Sequence, residues 1–219
     1  MARARAELDR RLAGLYAITP DAADSAVLLG KVAHALEGGV AVLQYRNKSA
    51  SAQLRREQGR ALATLCRRAG ALFIVNDELE LALELDADGL HLGGEDGDLG
   101  EARRRLAPGK LLGASCYDRI ELAEAAAAAG ADYLAFGSVF SSVTKPAAVR
   151  APLTLFAEAR RRFGLPLVAI GGITPENAAS VFAAGADAVA VISALFDAAD
   201  VAERAAAFTR LYRQGPMQP

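Results

Sequence analysis

The sequence predicts an α/β chain closed into a (β/α)8 TIM barrel. Three observations predict it. Apolar runs of three to six residues recur along all 219 residues, bounded by Gly, Pro, Asn or Asp, and suit strands buried on both faces. Each run is followed by a helix-length stretch, and this unit recurs eight times at a period of roughly 27 residues, close to the barrel norm. The phrase Ala-Gly-Ala-Asp occurs at Ala129–Asp132 and again at Ala184–Asp187, both times where a helix pattern gives way to a strand pattern. The competing architecture is an open doubly wound sheet. It needs no eight units, and no Gly-x-Gly-x-x-Gly follows the first strand.

The elements follow in order. Residues 1–13 suit a short N-terminal helix, and Leu15–Ile18 the first strand. Thr19-Pro20-Asp21 then leads to a helix over Ser25–Glu37. Gly38-Gly39 opens a strand over Val40–Tyr45, and the polar turn Arg46–Ser49 starts a helix that ends near Ala69. Leu72–Val75 is the third strand, with Asn76-Asp77 before a helix over Glu78–Leu85. Leu90–Leu92 is the fourth, followed by a Gly-rich acidic loop and a helix near Glu101–Leu106. Leu111–Ala114 is the fifth, with a turn over Ser115–Asp118 and an Ala-rich helix to Ala129. Tyr133–Phe136 is the sixth, with a long loop and a helix near Leu153–Phe163.

The last full unit is the most explicit. Leu167–Ile170 is an apolar run between Pro166 and Gly171. Gly171-Gly172 permits positive φ and close approach of a ligand. Thr174 can cap the next helix, Pro175 fits its first position and Glu176 suits its positive end. Gly185 closes that helix, and Ala188–Ile192 is the eighth strand. An amphipathic helix follows over Val201–Tyr212, and 214–219 reads as a frayed tail of the single barrel domain 1–219.

Composition narrows the partners. Hydrophobic residues make up 53% of the chain, enough for one sizeable core, and the formal net charge is −1. That balance gives no reason to expect nucleic acid or a membrane surface. Two cysteines, Cys66 and Cys116, suit a reducing cytosol, so a cytoplasmic location is expected. No stretch is apolar and long enough to cross a bilayer, and the opening residues lack the apolar centre of a signal peptide. Homo-oligomerisation is left open.

A barrel carries its chemistry at the C-terminal ends of its strands. Three sets of residues fall there. Asp77 and Asp96 follow neighbouring strands three and four; two carboxylates without Cys or His favour a hard cation with oxygen ligands, Mg2+ above all. Taken singly, Asp77 suits a helix cap and Asp96 a solvated turn. Arg46, Lys48 and Lys145 form a basic set, with Asn76 beside it; cations next to a divalent metal imply a highly charged anion such as a diphosphate. Gly171, Gly172, Ile192 and Ser193 form a neutral cradle after strands seven and eight, where barrels often hold a phosphate. The rim therefore suits two phosphorylated small molecules. His91 reads as a packed, hydrogen-bonded core histidine, and Cys116 has no base beside it in sequence.

In this order the residues resemble thiamine-phosphate synthase. The matching pieces are Leu15-Tyr16-Ala17-Ile18-Thr19, Gln44-Tyr45-Arg46-Asn47-Lys48, Val75-Asn76-Asp77, Gly89 to Asp96, Gly113-Ala114-Ser115, Thr144-Lys145, Ala169 to Ile173 and Val191-Ile192-Ser193. The resemblance covers nearly the whole chain. It implies a Mg2+-dependent transferase that joins an aminopyrimidine diphosphate to a thiazole phosphate. It implies that Asp77 and Asp96 hold the metal. It assigns Gln44, Arg46, Lys48, Asn76, Ser115 and Lys145 to the pyrimidine diphosphate, and Ser142, Thr144, Gly172, Ile192 and Ser193 to the thiazole phosphate. Arg46, Lys145 and Asp77 would carry catalysis.

Two departures stand out. The sixth loop has Ser141-Ser142-Val143-Thr144-Lys145 where the family commonly has Pro-Thr-x-Thr-Lys. Cys116-Tyr117 stands where many relatives carry Thr-His, which removes a histidine that a thiazole tautomerase of the same fold would be expected to use. A tautomerase, a non-catalytic phosphate-binding barrel, and an isomerase or aldolase of the same fold remain the competing readings.

Overall fold

The structure, a computed structural model, describes residues 11–94, 96–141 and 149–215. Eight parallel strands close in chain order into one barrel. They are β1 (Gly14–Ile18), β2 (Val42–Tyr45), β3 (Leu72–Asn76), β4 (Gly89–Leu92), β5 (Leu111–Tyr117), β6 (Tyr133–Phe136), β7 (Leu167–Ile170) and β8 (Ala188–Val191). The helices are α1 (Ser25–Glu37), α2 (Ala52–Ala69), α3 (Leu79–Glu84), α4 (Leu99–Arg105), α5 (Ile120–Ala128), α6 (Thr154–Arg162), α7 (Pro175–Ala183), α8 (Ser193–Phe196) and α9 (Val201–Gln214). The expected N-terminal helix lies almost entirely outside the described residues, as do 216–219 of the tail. Gln214, expected in that tail, instead closes α9.

Two further expectations need correction. The turn expected over Ser115–Asp118 is strand as far as Tyr117, with a register shift against β6 between Ser115 and Tyr117. The Gly137 N–H still bonds the Tyr117 carbonyl at 3.0 Å, so the polar residues continue the ladder. At the other end, Ser193 begins the short helix α8, which the apolar pattern did not reveal.

Side-chain alternation divides the core in two. On β1, Leu15 and Ala17 face the helices, whereas Tyr16 and Ile18 face the barrel interior with Val42, Leu72, Ile74, Leu111 and Tyr133. Gln44, Asn76, His91 and Ser115 share the inward parity of their strands. They sit at or near the strand C-termini, so the same alternation that fills the barrel aims four polar groups at its mouth. Gly113 is dictated by one of these neighbours, because a Cβ there would collide with the Tyr133 phenol.

Helix starts follow local chemistry. Asp24, Ser51, Asp98 and Asp200 each accept a backbone N–H in the first turn of the helix they precede. Thr174 and Asn177 form a capping box on α7.

The opposite end of the barrel carries a repeated latch. Asp132 gives its N–H to the Leu112 carbonyl at 2.7 Å and takes the Leu112 N–H on Oδ2 at 2.9 Å. Asp187 does the same with Leu167, at 2.8 and 2.7 Å. Asp88 takes the Phe73 N–H at 2.9 Å. Arg103 and Arg160 neutralise Asp132 and Asp187 from outside. The duplicated Ala-Gly-Ala-Asp is therefore a structural device, remote from the strand C-termini.

Candidate active site

The mouth is built from the strand ends upward. After β1, Thr19 and Arg46 exchange hydrogen bonds: the Thr19 hydroxyl donates to the Arg46 carbonyl at 2.8 Å and accepts the Arg46 N–H at 2.9 Å. Asp21 Oδ1 takes the Arg46 guanidinium at 3.0 Å and the Lys48 N–H at 2.9 Å. This fixes the turn that carries both cations. Asn47, between them, is buried and donates to the Ala22 carbonyl and to Gln58, so it is a structural pin.

Asp77 stands at an unusual backbone position. Its φ is +62°, and the Asn76 carbonyl accepts the Glu78 N–H across it at 2.7 Å. Such turns are strained for a residue with a Cβ and cluster at functional sites. The ordinary reading of Asp77 as a helix cap fails, since Glu78 precedes α3 and no side chain caps it. Instead Asp77 Oδ2 accepts from Asn76 Nδ2 at 2.6 Å and pairs with Lys48 Nζ at 3.0 Å. The same ammonium lies 3.9 Å from Asp96 Oδ1.

Two carboxylates from adjacent strands therefore converge on one cationic atom. The Lys48 ammonium marks the point they share. The Asp77 side chain is only 17% exposed, while Lys48 is 53% exposed and free to swing aside.

These residues fit a hard divalent cation. The donors are the carboxylate oxygens of Asp77 and Asp96, and both lie within ion-pair distance of the Lys48 ammonium. No group of three or more His, Cys, Asp or Glu side chains forms a cage among the described residues. Two carboxylates with water and substrate oxygens completing the shell are the arrangement Mg2+ prefers. The loop carrying Asp96 is held by Tyr117, whose hydroxyl accepts the Gly94 N–H at 3.2 Å, and by the Gly93 carbonyl, which accepts the Asp96 N–H at 3.3 Å.

Across the mouth lie Gly171 (φ +103°) and Gly172 (φ +63°). Their missing side chains are used by the chain itself. A Cβ on Gly171 would strike Ser138, and one on Gly172 would strike Phe140 and Ser141. Val139 and Phe140 donate to the Ile170 and Gly171 carbonyls at 2.9 Å, which seats the sixth loop on the seventh. Ile192 precedes α8, and its carbonyl accepts from Leu195 and Phe196. Ser193 takes the first position of that helix, the place where barrels use a short extra helix for phosphate. Ser142, Thr144 and Lys145 lie outside the described residues, as does Glu95.

Inside the mouth a hydrogen-bonded chain crosses the barrel. Gln44 Nε2 donates to the Tyr16 hydroxyl at 3.0 Å, and the Tyr16 and Tyr133 hydroxyls are 2.8 Å apart. Tyr133 meets His91 Nδ1 at 3.1 Å, and His91 Nε2 meets Ser115 Oγ at 2.9 Å. Tyr16 and Tyr133 are fully buried and His91 is 8% exposed. Burial pushes the His91 pKa down to about 4 against a smaller opposing pull from Asp96, and it raises both tyrosines. Cys116 is likewise buried, its thiol pushed up to about 12, which leaves it inert.

The decisive comparison is with whole families. Residues 15–195 match the family model described as thiamine monophosphate synthase. The chain belongs to that family.

Relatives share most of their length with it. The thiamine-phosphate synthase of Aromatoleum aromaticum is 59% identical over 204 residues, covering 93% of this chain and 98% of the relative. That of Chromobacterium violaceum is 58% identical over 197 residues, covering 90% and 95%. Among solved structures, thiamine phosphate pyrophosphorylase from Pyrococcus furiosus superposes with a TM-score of 0.83 at 37% identity, covering 94% of this chain and 98% of that one. A 3-hexulose-6-phosphate synthase matches at TM-score 0.67 and 17% identity, a likeness of fold alone. Membership makes this chain a transferase of thiamine biosynthesis. No helix among the described residues is long and apolar enough to cross a membrane.

Reading the sequence alone missed several parts of the mouth. Asp21 was legible as a residue after a strand, but its pairing with Arg46 needs β1 and β2 side by side. Tyr16 and Tyr133 count as apolar in any hydrophobicity pattern, and only barrel closure points their hydroxyls at each other.

Proposed function

We propose that the chain condenses 4-amino-2-methyl-5-(diphosphooxymethyl)pyrimidine with a thiazole phosphate, giving thiamine phosphate and diphosphate, with Mg2+ bound at Asp77 and Asp96. One observation carries the reading: two carboxylates from the segments that follow β3 and β4 share one cationic point, on the turn that also carries Arg46, at a mouth whose far side holds Gly172 and Ser193. A metal and cations on one side suit a diphosphate; backbone donors on the other suit a monophosphate.

The thiazole nitrogen has a free lone pair, so no base need deprotonate it. The C–O bond at the pyrimidine methylene breaks first, its bonding pair leaving on the diphosphate, and the thiazole nitrogen then gives its lone pair to the exposed cation to form the new C–N bond. The barrier lies in leaving-group departure. When bound, Mg2+ neutralises charge on the diphosphate as it leaves. Arg46, oriented by Asp21, and Lys48, released from the carboxylates, add fixed positive charge where negative charge grows. Lys145 is assigned the same role. Gln44, Asn76 and Ser115 hold the aminopyrimidine, and the apolar interior beneath keeps water from the cationic methylene. Gly172, Ile192 and Ser193, with Ser142 and Thr144, anchor the thiazole phosphate. Fixing both partners by their phosphates supplies the orientation.

The test is direct. Purified protein, Mg2+ and both substrates should give thiamine phosphate and diphosphate in equal amounts, resolved by chromatography. Omission of either substrate, or excess EDTA, should abolish both products. Substrates returned unchanged would defeat the assignment, and full turnover in EDTA would defeat the metal.

A further inference from the structure

The chain from Gln44 to Ser115 has a direction, and that direction fixes what its two ends offer. It spans five strands: Gln44 on β2, Tyr16 on β1, Tyr133 on β6, His91 on β4 and Ser115 on β5. Each hydroxyl has one hydrogen to give. The Gln44 amide nitrogen faces Tyr16, so the Tyr16 hydroxyl accepts there, and its own hydrogen is satisfied within the chain only if it goes to Tyr133. Tyr133 then gives its hydrogen to His91 Nδ1, which must be bare. The imidazole proton is left on Nε2, where it donates to Ser115 Oγ. An imidazolium would put two donors head to head with the chain, and the Nδ1–H tautomer would do the same at Tyr133.

We propose that Tyr16, Tyr133 and His91 are positioning residues that polarise the mouth, holding His91 as the Nε2–H tautomer so that Ser115 presents a hydroxyl donor and Gln44 an amide acceptor to the pyrimidine. The inference rests on the substrate assignment above for what binds there, and on the hydrogen-bond geometry for the rest. Gln44 Oε1 takes no hydrogen bond among the described residues, and no fully buried side-chain oxygen or nitrogen lacks a partner, so this oxygen reaches the open mouth. An aminopyrimidine carries the complementary pair: an amino group that donates and a ring nitrogen that accepts. Reversal of the chain would swap the two, leaving an amide donor at Gln44 and a hydroxyl acceptor at Ser115.

Packing alone does not call for a phenol at Tyr16 or Tyr133, since phenylalanine would fill the same buried space. Gly113 gives up a side chain so that the Tyr133 ring can lie across the barrel. The chain needs no titration, so its effect is on binding geometry.

The experiment pairs spectroscopy with kinetics on the full-length protein. With His34→Gln removing the other histidine, 15N chemical shifts of His91 at neutral pH should show a protonated Nε2 and a bare Nδ1. Tyr133→Phe and Tyr16→Phe should each raise KM for the pyrimidine diphosphate about 3- to 10-fold, the scale of one lost hydrogen bond, with KM for the thiazole phosphate unchanged. Tyr133→Phe should also disturb the His91 shifts, and Tyr16→Phe less so. A protonated Nδ1 in the wild type overturns the proposal. So does a Tyr133→Phe protein that stays folded with unchanged KM for both substrates. Failure of the wild type to turn over at all would strike the substrate assignment instead, and the 15N shifts would still decide the direction of the chain.

Discussion

Replacing Asp77 by glycine and by alanine separates what its backbone costs from what its carboxylate does. At φ +62° an L-residue carries about 1–2 kcal/mol of steric cost that glycine does not. Glycine gives back about 0.4–1 kcal/mol through its freer unfolded chain. Both variants lose the same contacts, to Asn76 Nδ2 at 2.6 Å and Lys48 Nζ at 3.0 Å, so those cancel in the comparison. Asp77→Gly should therefore be more stable than Asp77→Ala by about 0.5–1 kcal/mol, or about 1–4 °C in Tm for a chain of this size. Activity should not follow stability. On the proposed function each variant loses one of the two carboxylates that would hold the metal, and kcat/KM should fall at least about 10²-fold in both. Differential scanning calorimetry and steady-state assays on the same preparations give both numbers. An alanine variant that melts as high as the glycine variant refutes the backbone argument. Either variant keeping more than about a tenth of wild-type kcat/KM refutes the role given to the carboxylate.

Other perturbations test other parts. His91 has a folded pKa of about 4 against an ordinary 6.5, so between those values the unfolded chain binds the extra proton. Its contribution is fully present above pH 6.5 and declines as pH falls toward 4, by on the order of 3 kcal/mol. Urea titrations of wild type and His91→Gln should diverge by that slope and no more. Asp132→Ala strands the buried Leu112 N–H and should cost about 1–3 kcal/mol in chemical denaturation, with kcat/KM of the folded protein unchanged. Asp21→Ala releases the Arg46 guanidinium and the Lys48 N–H together. KM for the pyrimidine diphosphate should rise about 3- to 10-fold while KM for the thiazole phosphate stays put, as initial-rate kinetics would report.

The barrel was legible because apolar runs, glycines and helix caps all fell at one spacing. The boundaries of α1, β6 and β7 match the pattern residue for residue. Misreadings occurred where polar residues do structural work. Ser115 and Tyr117 looked like a turn, yet Ser115 is an inward strand residue bonded to His91. The rim residues were legible by the rule that a barrel acts at its strand ends. Their pairings were not, because Lys48 meets Asp77 and Asp96 only once β2, β3 and β4 are neighbours. His91 read as a hydrogen-bonded core residue, and it is one; its partners come from β5 and β6, 24 and 42 residues away. The glycines after β7 read as room for a ligand, whereas the sixth loop occupies the space their Cβ atoms would need.

The aspartate latches at the far end have a consequence for how the barrel is put together. Asp88 before β4 clasps β3, Asp132 before β6 clasps β5, and Asp187 before β8 clasps β7. The matching place before β2 holds Ala41. Strands β4, β6 and β8 thus each arrive with a clasp for their predecessor, which groups the cylinder into two-strand quarters, three of them buttoned and one plain. During synthesis a buttoned quarter can be secured by a side chain as soon as its second strand emerges, while the opening quarter has only its backbone ladder, the Ala41 N–H on the Leu15 carbonyl included.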